Sequence, residues 1–275
     1  MTSKKETAIY THTHHSSAVG DHARRGAADS AGFLIPHLKP DFKVLDVGCG
    51  PGTISADLAA LVPQGHLTGI DAVEAVLEQA RETARSRGVT NIAFQLADAN
   101  SLPFPDDTFD VVFCHQVLQH VGEPVSVLAE MRRVAKPGGI VAAREASYGS
   151  FCWFPEPPLI DQWLQLYTKV ARANGGEPNA GKYLFKWARD AGFSSADIDA
   201  TWDTWRYSGE RAKQFSHSHG TRILQSGFLN TATKNGFATE EEVREISKAW
   251  LEWGEQEDAF IAMPCSQILC KKAPC

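Results

Sequence analysis

No run of apolar residues in this chain approaches the roughly 18 that a membrane-crossing helix needs. Residues 1–30 are polar and His-rich, without the apolar stretch of a secretion signal. The expectation is a cytoplasmic protein with no membrane insertion. Long blocks of Lys and Arg are missing too, and the formal net charge is -6, so the positive footprint of a general nucleic-acid binder is absent. A nucleic-acid partner is therefore not expected. The six cysteines, Cys49, Cys114, Cys152, Cys265, Cys270 and Cys275, never stand as C-x-x-C. That spacing suits neither a zinc site nor a disulfide framework, and reduced thiols follow. His12, His14 and His15 cluster without acidic or thiol partners nearby, so no metal is expected. Internal repeats and low-complexity segments are also lacking.

What remains is an ordinary globular composition: 275 residues, 43% hydrophobic and 22% charged. That length suits one elaborated α/β domain carrying an added cap. From Phe42 to Ala146, short β-like runs alternate with amphipathic stripes, the pattern of βαβ units in a parallel sheet. Strands are predicted at Lys43 to Val47, His66 to Ile70, Asn91 to Leu96, Phe109 to Cys114 and Ile140 to Ala146. Ile54, Leu58, Leu61 and Val62 form one helical stripe, and Val73, Val76, Leu77, Ala80 and Ala84 form another. A third helix carries Val127, Leu128, Met131 and Val134 and closes at Lys136-Pro-Gly-Gly.

After Ser147 the run Phe151-Cys-Trp-Phe-Pro-Glu-Pro-Pro reads as a loop leaving the sheet. Helices follow from Leu159 and from Lys182, a sixth strand at Asp197 to Tyr207 and a seventh at Ala259 to Lys271. The expected organisation is an N-terminal segment 1–30, a core of 31–207 and 255–275, and an inserted helical cap 208–254. The fold class is α/β, with a seven-stranded, mostly parallel sheet covered by helices on both faces.

The chemistry concentrates in Val44-Leu-Asp-Val-Gly-Cys-Gly-Pro-Gly-Thr53, a buried strand, a glycine-dense turn and a helix start. Gly48, Gly50 and Gly52 allow a tight turn and close approach of a ligand, with free amides at the helix opening. Thr53 stands where the dinucleotide fingerprint wants its third glycine, which disfavours NAD or FAD. Asp71 follows the second strand, nineteen residues beyond Gly52, where a carboxylate can accept both hydroxyls of a ribose. Asp98, after the third strand, can accept a hydrogen bond from an adenine amino group.

With these pieces, and with Gly69-Ile-Asp71, Asp98-Ala-Asn-Ser-Leu-Pro-Phe-Pro-Asp-Asp-Thr-Phe-Asp110, Gln116-Val-Leu-Gln-His120 and Leu128 through Gly139, the sequence resembles the class I S-adenosylmethionine-dependent methyltransferases. Within them it is most similar to the UbiE-like small-molecule branch. The resemblance implies a Rossmann-like core and S-adenosyl-L-methionine as cofactor. It implies that Gly48, Cys49, Gly50 and Gly52 line the methionine end with Asp46 nearby. Asp71 and Ala72 would hold the ribose, Asp98 and Ala99 the adenine, and His115 and Gln116 would pass beneath the sulfonium. It also implies that the run Tyr10 to His15 and the helix near Ser16 form a lid over the cofactor. Val73 departs from the Asp-x-Ser turn of many relatives, which puts a helix cap in doubt.

Methyl transfer needs alignment and dehydration, with a general base only where the acceptor must lose a proton. His115 and Glu145, at the carboxyl ends of the fourth and fifth strands, are the candidate catalytic groups by position. His120 reads as structural. Tyr148, Trp153 and Trp205 are the candidate walls for a small-molecule acceptor, since a closed site over a sulfonium needs apolar cover. The expected reaction is methylation of oxygen, carbon or nitrogen on a quinone-like or secondary metabolite. The alternatives are a rearrangement or cyclisation on the same fold, a binding module without catalysis, and arsenite methylation, which scattered thiols disfavour. Oligomeric state is left open.

Overall fold

Strand β1 (Lys43–Val47), apolar but for the exposed Lys43 and the buried Asp46, lies inside the sheet, as the burial of Val44 to Val47 requires. The computed structural model describes residues 25–225 and 227–274. On one side of β1 run β2 (His66–Asp71) and β3 (Ile92–Leu96), and on the other β4 (Phe109–His115) and β5 (Ala135–Ala146), all parallel. Beyond β5 the direction reverses, with β8 (Phe260–Lys271) antiparallel to β5 and β7 (Ile198–Ser208) antiparallel to β8. The predicted strands are all present, their ends moved by a residue or a few. Ala135 starts β5 early, and residues 136–139, expected to close a helix, form an irregularity in the β4–β5 register.

Among the described residues the sheet has eight strands, one more than expected. The segment read as a loop contains β6 (Cys152–Phe154), which pairs with Phe260–Ala262 of β8 beyond the point where β5 ends. The flanking Pro and aromatic residues suggested a departure from the sheet, but a long β8 supplies free edge to both β5 and β6 in turn.

Helices cover both faces, each through its apolar stripe. On one face α4 (Pro124–Val134) and α6 (Ala180–Asp190) pack Val127, Leu128, Met131, Leu184 and Ala188 against Leu45, Val112 and Ala143. On the other, α1 (Ala27–Ser30) and α2 (Thr53–Ala60) pack Ala27, Leu58 and Ala59 against Val44, Val111 and Phe113. Helix α3 (Glu74–Ser86) buries Val76, Leu77, Ala80 and Ala84, and its start at Val73 carries no side-chain cap.

Residues 208–254 form three helices, α7 (Gly209–Gln225), α8 (Gly227–Lys234) and α9 (Glu240–Gly254). They share one apolar core with α5 (Pro158–Ala173) and with β6, built round Trp153, Trp163, Tyr167, Phe228, Trp250 and Trp253. Trp153 is thus a cap-core residue. It is 6% exposed, with its ring 6.5 Å from that of Trp250, so the expectation that it forms a wall of the acceptor pocket is corrected. A side chain on β6 facing the cap is enclosed by α9.

Trp153→Ala should lower unfolding free energy by about 3–5 kcal/mol, as for other buried aromatics cut to Ala, measured by urea denaturation. Unchanged stability with a raised acceptor KM would instead return Trp153 to the pocket wall.

Candidate active site

The site begins where β1 meets its glycine turn. The amides of Gly48 and Cys49 both donate to the carbonyl of Ile70, at 2.8 and 2.9 Å, which ties the turn to the end of β2. Gly48 has a φ of 72°, and a Cβ there would stand 2.4 Å from Cγ2 of Val117. Gly50 also has positive φ, 55°, yet a Cβ there would meet no atom of the described residues within 4 Å. The turn is therefore packed behind and open in front, a backbone surface on which a ligand can lie directly.

Asp71 fixes the open side. Its Oδ2 accepts from the Gly50 amide and its Oδ1 from the Val73 amide, both at 3.1 Å. The Ala97 amide donates to the Asp71 carbonyl at 3.1 Å, which brings the loop after β3 alongside. On that loop Asp98 Oδ1 accepts from the amide and side chain of Asn100, at 2.8 and 3.0 Å. Ala72 is exposed beside Asp71, and Ala99 is half-buried beside Asp98. Cys49 is buried within the turn, its thiol pushed well up by burial.

Asp46 lies beneath, buried, accepting from Ser55 Oγ at 2.5 Å. Burial pushes its pKa up to about 7, the Ser55 hydrogen bond opposing this and the charge of Asp71 adding to it.

At the far side, β4 ends in His115 and β5 carries Arg144 beside it. Arg144 is wholly buried, its Nη1 is 3.3 Å from His115 Nε2, and its guanidinium lies 4.2 Å from the Trp205 ring centroid. A guanidinium only donates, so His115 Nε2 accepts in this contact. In this arrangement the basic nitrogen of His115 is engaged by a cation, which disfavours the general-base role expected of it. Trp205 is half-buried, edge-on to His115 at 5.6 Å, and its indole donates to the Asp29 carbonyl at 3.1 Å. Gln116 adopts a φ of 54°, its amide donates to the Arg144 carbonyl, and its side chain accepts from Arg25 at 3.0 Å.

Glu145, the other expected base, is fully buried on the opposite face. Its Oε1 accepts from the amides of Val117 and Leu118 at 2.8 and 2.7 Å, and its Oε2 from Gln119 at 3.2 Å. Burial outweighs these three amides and raises its pKa to about 8. This carboxyl holds a loop and does not face a reaction space, so its assignment as a general base is corrected. His120 in that loop is held neutral, its pKa pushed down to about 3 by burial and then by the charges of Arg25 and Arg222. Tyr148 is buried in a stack between Phe151 and Tyr167, at 4.6 and 4.3 Å. The segment Tyr10 to His15, the helix near Ser16 and hence the expected lid lie outside the described residues.

Arg144, Arg222 and the Val117 contact were missed in the sequence. A signal existed for Arg144, because Arg and Glu stand side by side in the apolar strand Ile140 to Ala146. Buried charge in such a strand marks a site more often than a surface.

A methyltransferase-domain family model matches residues 38–198, more than half of the chain. The chain is 34% identical over 259 residues to an uncharacterized methyltransferase of Schizosaccharomyces pombe, covering 91% of this chain and 92% of that one. It is 35% identical over 183 residues to a demethylmenaquinone methyltransferase of Symbiobacterium thermophilum, covering 58% and 72% respectively. In fold it is similar to the [4+2]-cyclase SpnF, with a TM-score of 0.53, 23% identity and coverage of 92% and 85%. The protein belongs to the methyltransferase-domain family and is an S-adenosylmethionine-dependent methyltransferase. Among the described residues no helix is long and apolar enough to cross a membrane.

The native state holds the Glu145 proton more firmly than the unfolded chain between pH 4.5 and about 8. Stability from this group is full below that window and is lost as pH rises through it. Glu145→Gln should flatten the decline of unfolding free energy from acid to mildly alkaline pH. A decline equally steep in wild type and variant would mean that the carboxyl is ionised throughout.

Proposed function

We propose that the enzyme moves the methyl of S-adenosyl-L-methionine to an oxygen, carbon or nitrogen of a small planar metabolite, quinone-like or from secondary metabolism. The observation that carries the cofactor half is Gly50, where a Cβ would meet no atom of the described residues within 4 Å and whose amide is held by Asp71 Oδ2 at 3.1 Å. Gly48 to Gly52 and Asp46 would hold the methionine end, Asp71 with Ala72 the ribose, and Asp98 with Ala99 the adenine. The cofactor, when bound, supplies an electrophilic methyl on a sulfonium.

The protein's own part is alignment and exclusion of water. Glu145 fixes the loop after β4, and Arg144 holds the His115 ring in place beside the strand ends. Trp205 and Tyr148 supply apolar surface beside the strand ends. The name of the Symbiobacterium relative supports a quinone-like acceptor, and the net charge of -6 supports a small molecule over a nucleic acid. A cytoplasmic location belongs to the same reading. The cyclisation alternative shares the fold of SpnF but forms no S-adenosylhomocysteine, so release of that product separates the two.

Asp71→Ala should weaken S-adenosylmethionine binding by tenfold or more, because a charge-assisted acceptor worth about 1.5–3 kcal/mol is lost. Asp71→Asn, which keeps an acceptor for the Gly50 or Val73 amide, should stay folded and still bind weakly. Calorimetry showing wild-type affinity in both folded variants would remove Asp71 from the cofactor site.

A further inference from the structure

Helix α6 shares a core with Ile198, Ile268 and Cys270, at one end of the β7–β8 pair. Toward the other end the same face of the sheet loses its cover. Trp153 and Ile261 pair across β6 and β8 and both lie in the cap core, so the residues alternating with them point to the opposite face. The registers set those residues in adjacent rows. Phe154, Phe260 and Ser208 form one row, and Cys152, Ala262 and Arg206 the next. Pro264 with Thr204 and Ser266 with Trp202 follow. Ser266 is buried on the row of Glu145, and the others are half-buried or exposed. Phe154 is 58% exposed, Trp202 53% and Phe260 39%.

An antiparallel sheet face left to water ordinarily carries polar residues. This one carries two phenylalanines and a tryptophan, with Arg206 as its one charged side chain among the described residues. Aromatic residues with Arg, and without Lys, Asp or Glu, make the composition of an interface centre. Area points the same way. A fully buried aromatic side chain covers roughly 150–250 Å², so these exposures leave about 300 Å² of ring on each copy of the chain. Cys152, Thr204, Arg206 and Pro264 add to that, and two such faces together reach about the 1,000 Å² that a specific contact needs.

We infer that this face joins two copies of the chain in a reversible two-fold dimer, with Phe154, Trp202 and Phe260 at its centre. A two-fold contact needs only one patch, used by both copies. Other occupants fit less well. The described chain begins at Arg25, which lies over Trp205. Trp205 is three residues from Trp202 along β7 and so points to the opposite face, which is where residues 1–24 join the structure. Exposed Glu156, Glu257 and Asp258 flank Phe154 and Phe260 in the chain, and the formal net charge is -6. An anionic lipid surface would be repelled by that charge.

Sedimentation velocity on the full chain, from about 1 to about 200 µM, tests it. The mass should rise from 30.0 kDa toward twice that value. Trp202→Gln and Phe154→Ser, at exposed positions, should each weaken the dimer by about tenfold or more. Phe185→Ser, an exposed aromatic on α6 and off this face, should leave the dissociation constant within about threefold. Cys152 is exposed while Cys49, Cys114, Cys265 and Cys270 are buried. With Cys275→Ser, its reaction with a maleimide should slow as the dimer forms. Where a face variant does not fold, the Cys152 rate of the otherwise unaltered chain decides. A dimer unmoved by both face substitutions, a dimer in which Cys152 reacts as fast as in the monomer, or assembly that continues past two copies would overturn the inference. So would a chain still monomeric at about 200 µM. Retention of that monomer on vesicles of phosphatidylcholine and phosphatidylglycerol would give the face to lipid, and a slow Cys152 in it would give the face to residues 1–24.

Discussion

One buried carboxyl organises the reaction end of this protein. Glu145 gathers the amides of Val117, Leu118 and Gln119 onto its two oxygens in a place that water does not reach. Each of those amides would otherwise be a costly unmade donor. The loop so held sets Val117 against Gly48, where no Cβ fits. Gly48 and Cys49 in turn hang from the Ile70 carbonyl, and Gly50 from Asp71. A chain of contacts therefore runs from the loop after β4 to the glycine turn and Asp71. Movement of the loop after β4 would be felt at the glycine turn through packing, since such interiors are not continuously deformable.

The neighbouring residue does the converse on the other face. Alternation along β5 sends Arg144 toward His115 and Trp205 while Glu145 faces the loop. One strand end thus presents a cation to the reaction space and hides an acid behind it. The engagement of His115 Nε2 by a guanidinium follows from that placement. Trp163 and Tyr167 of α5 pack into the same apolar core as α7, α8 and α9.

Much of the frame was legible in the sequence because its periods are clean. The stripes Val76, Leu77, Ala80, Ala84 and Val127, Leu128, Met131, Val134 are helical and are buried, and the apolar run at Val44 demanded a central strand. The glycine turn and Asp71 were legible together because a strand, a tight turn and a carboxylate at fixed spacing have few other uses. Strand β6 was not, since three residues between Gly149 and Pro155 carry no period and their pairing exists only once β8 outruns β5. Trp153 was misread for the same reason, because a residue's enclosure by α9 is a tertiary fact. Glu145 and His115 were found by position, but position does not disclose that amides and a guanidinium already occupy them. Arg222 and His219 sit on a helix whose polar look suggests solvent, and only the fold turns them inward.

The central claim is that the glycine turn, Asp46 and Asp71 form a cradle for a cationic nucleoside cofactor whose sulfur lies beside His115. A crystal structure of the full chain with S-adenosylhomocysteine tests this most directly. The account predicts ribose hydroxyls on Asp71, the amino-acid end along Gly48 to Gly52 above Asp46, and the sulfur facing His115 with Glu145 still on its three amides. A nucleoside bound elsewhere, or one seated in the turn with its sulfur directed away from the ends of β4 and β5, would contradict it.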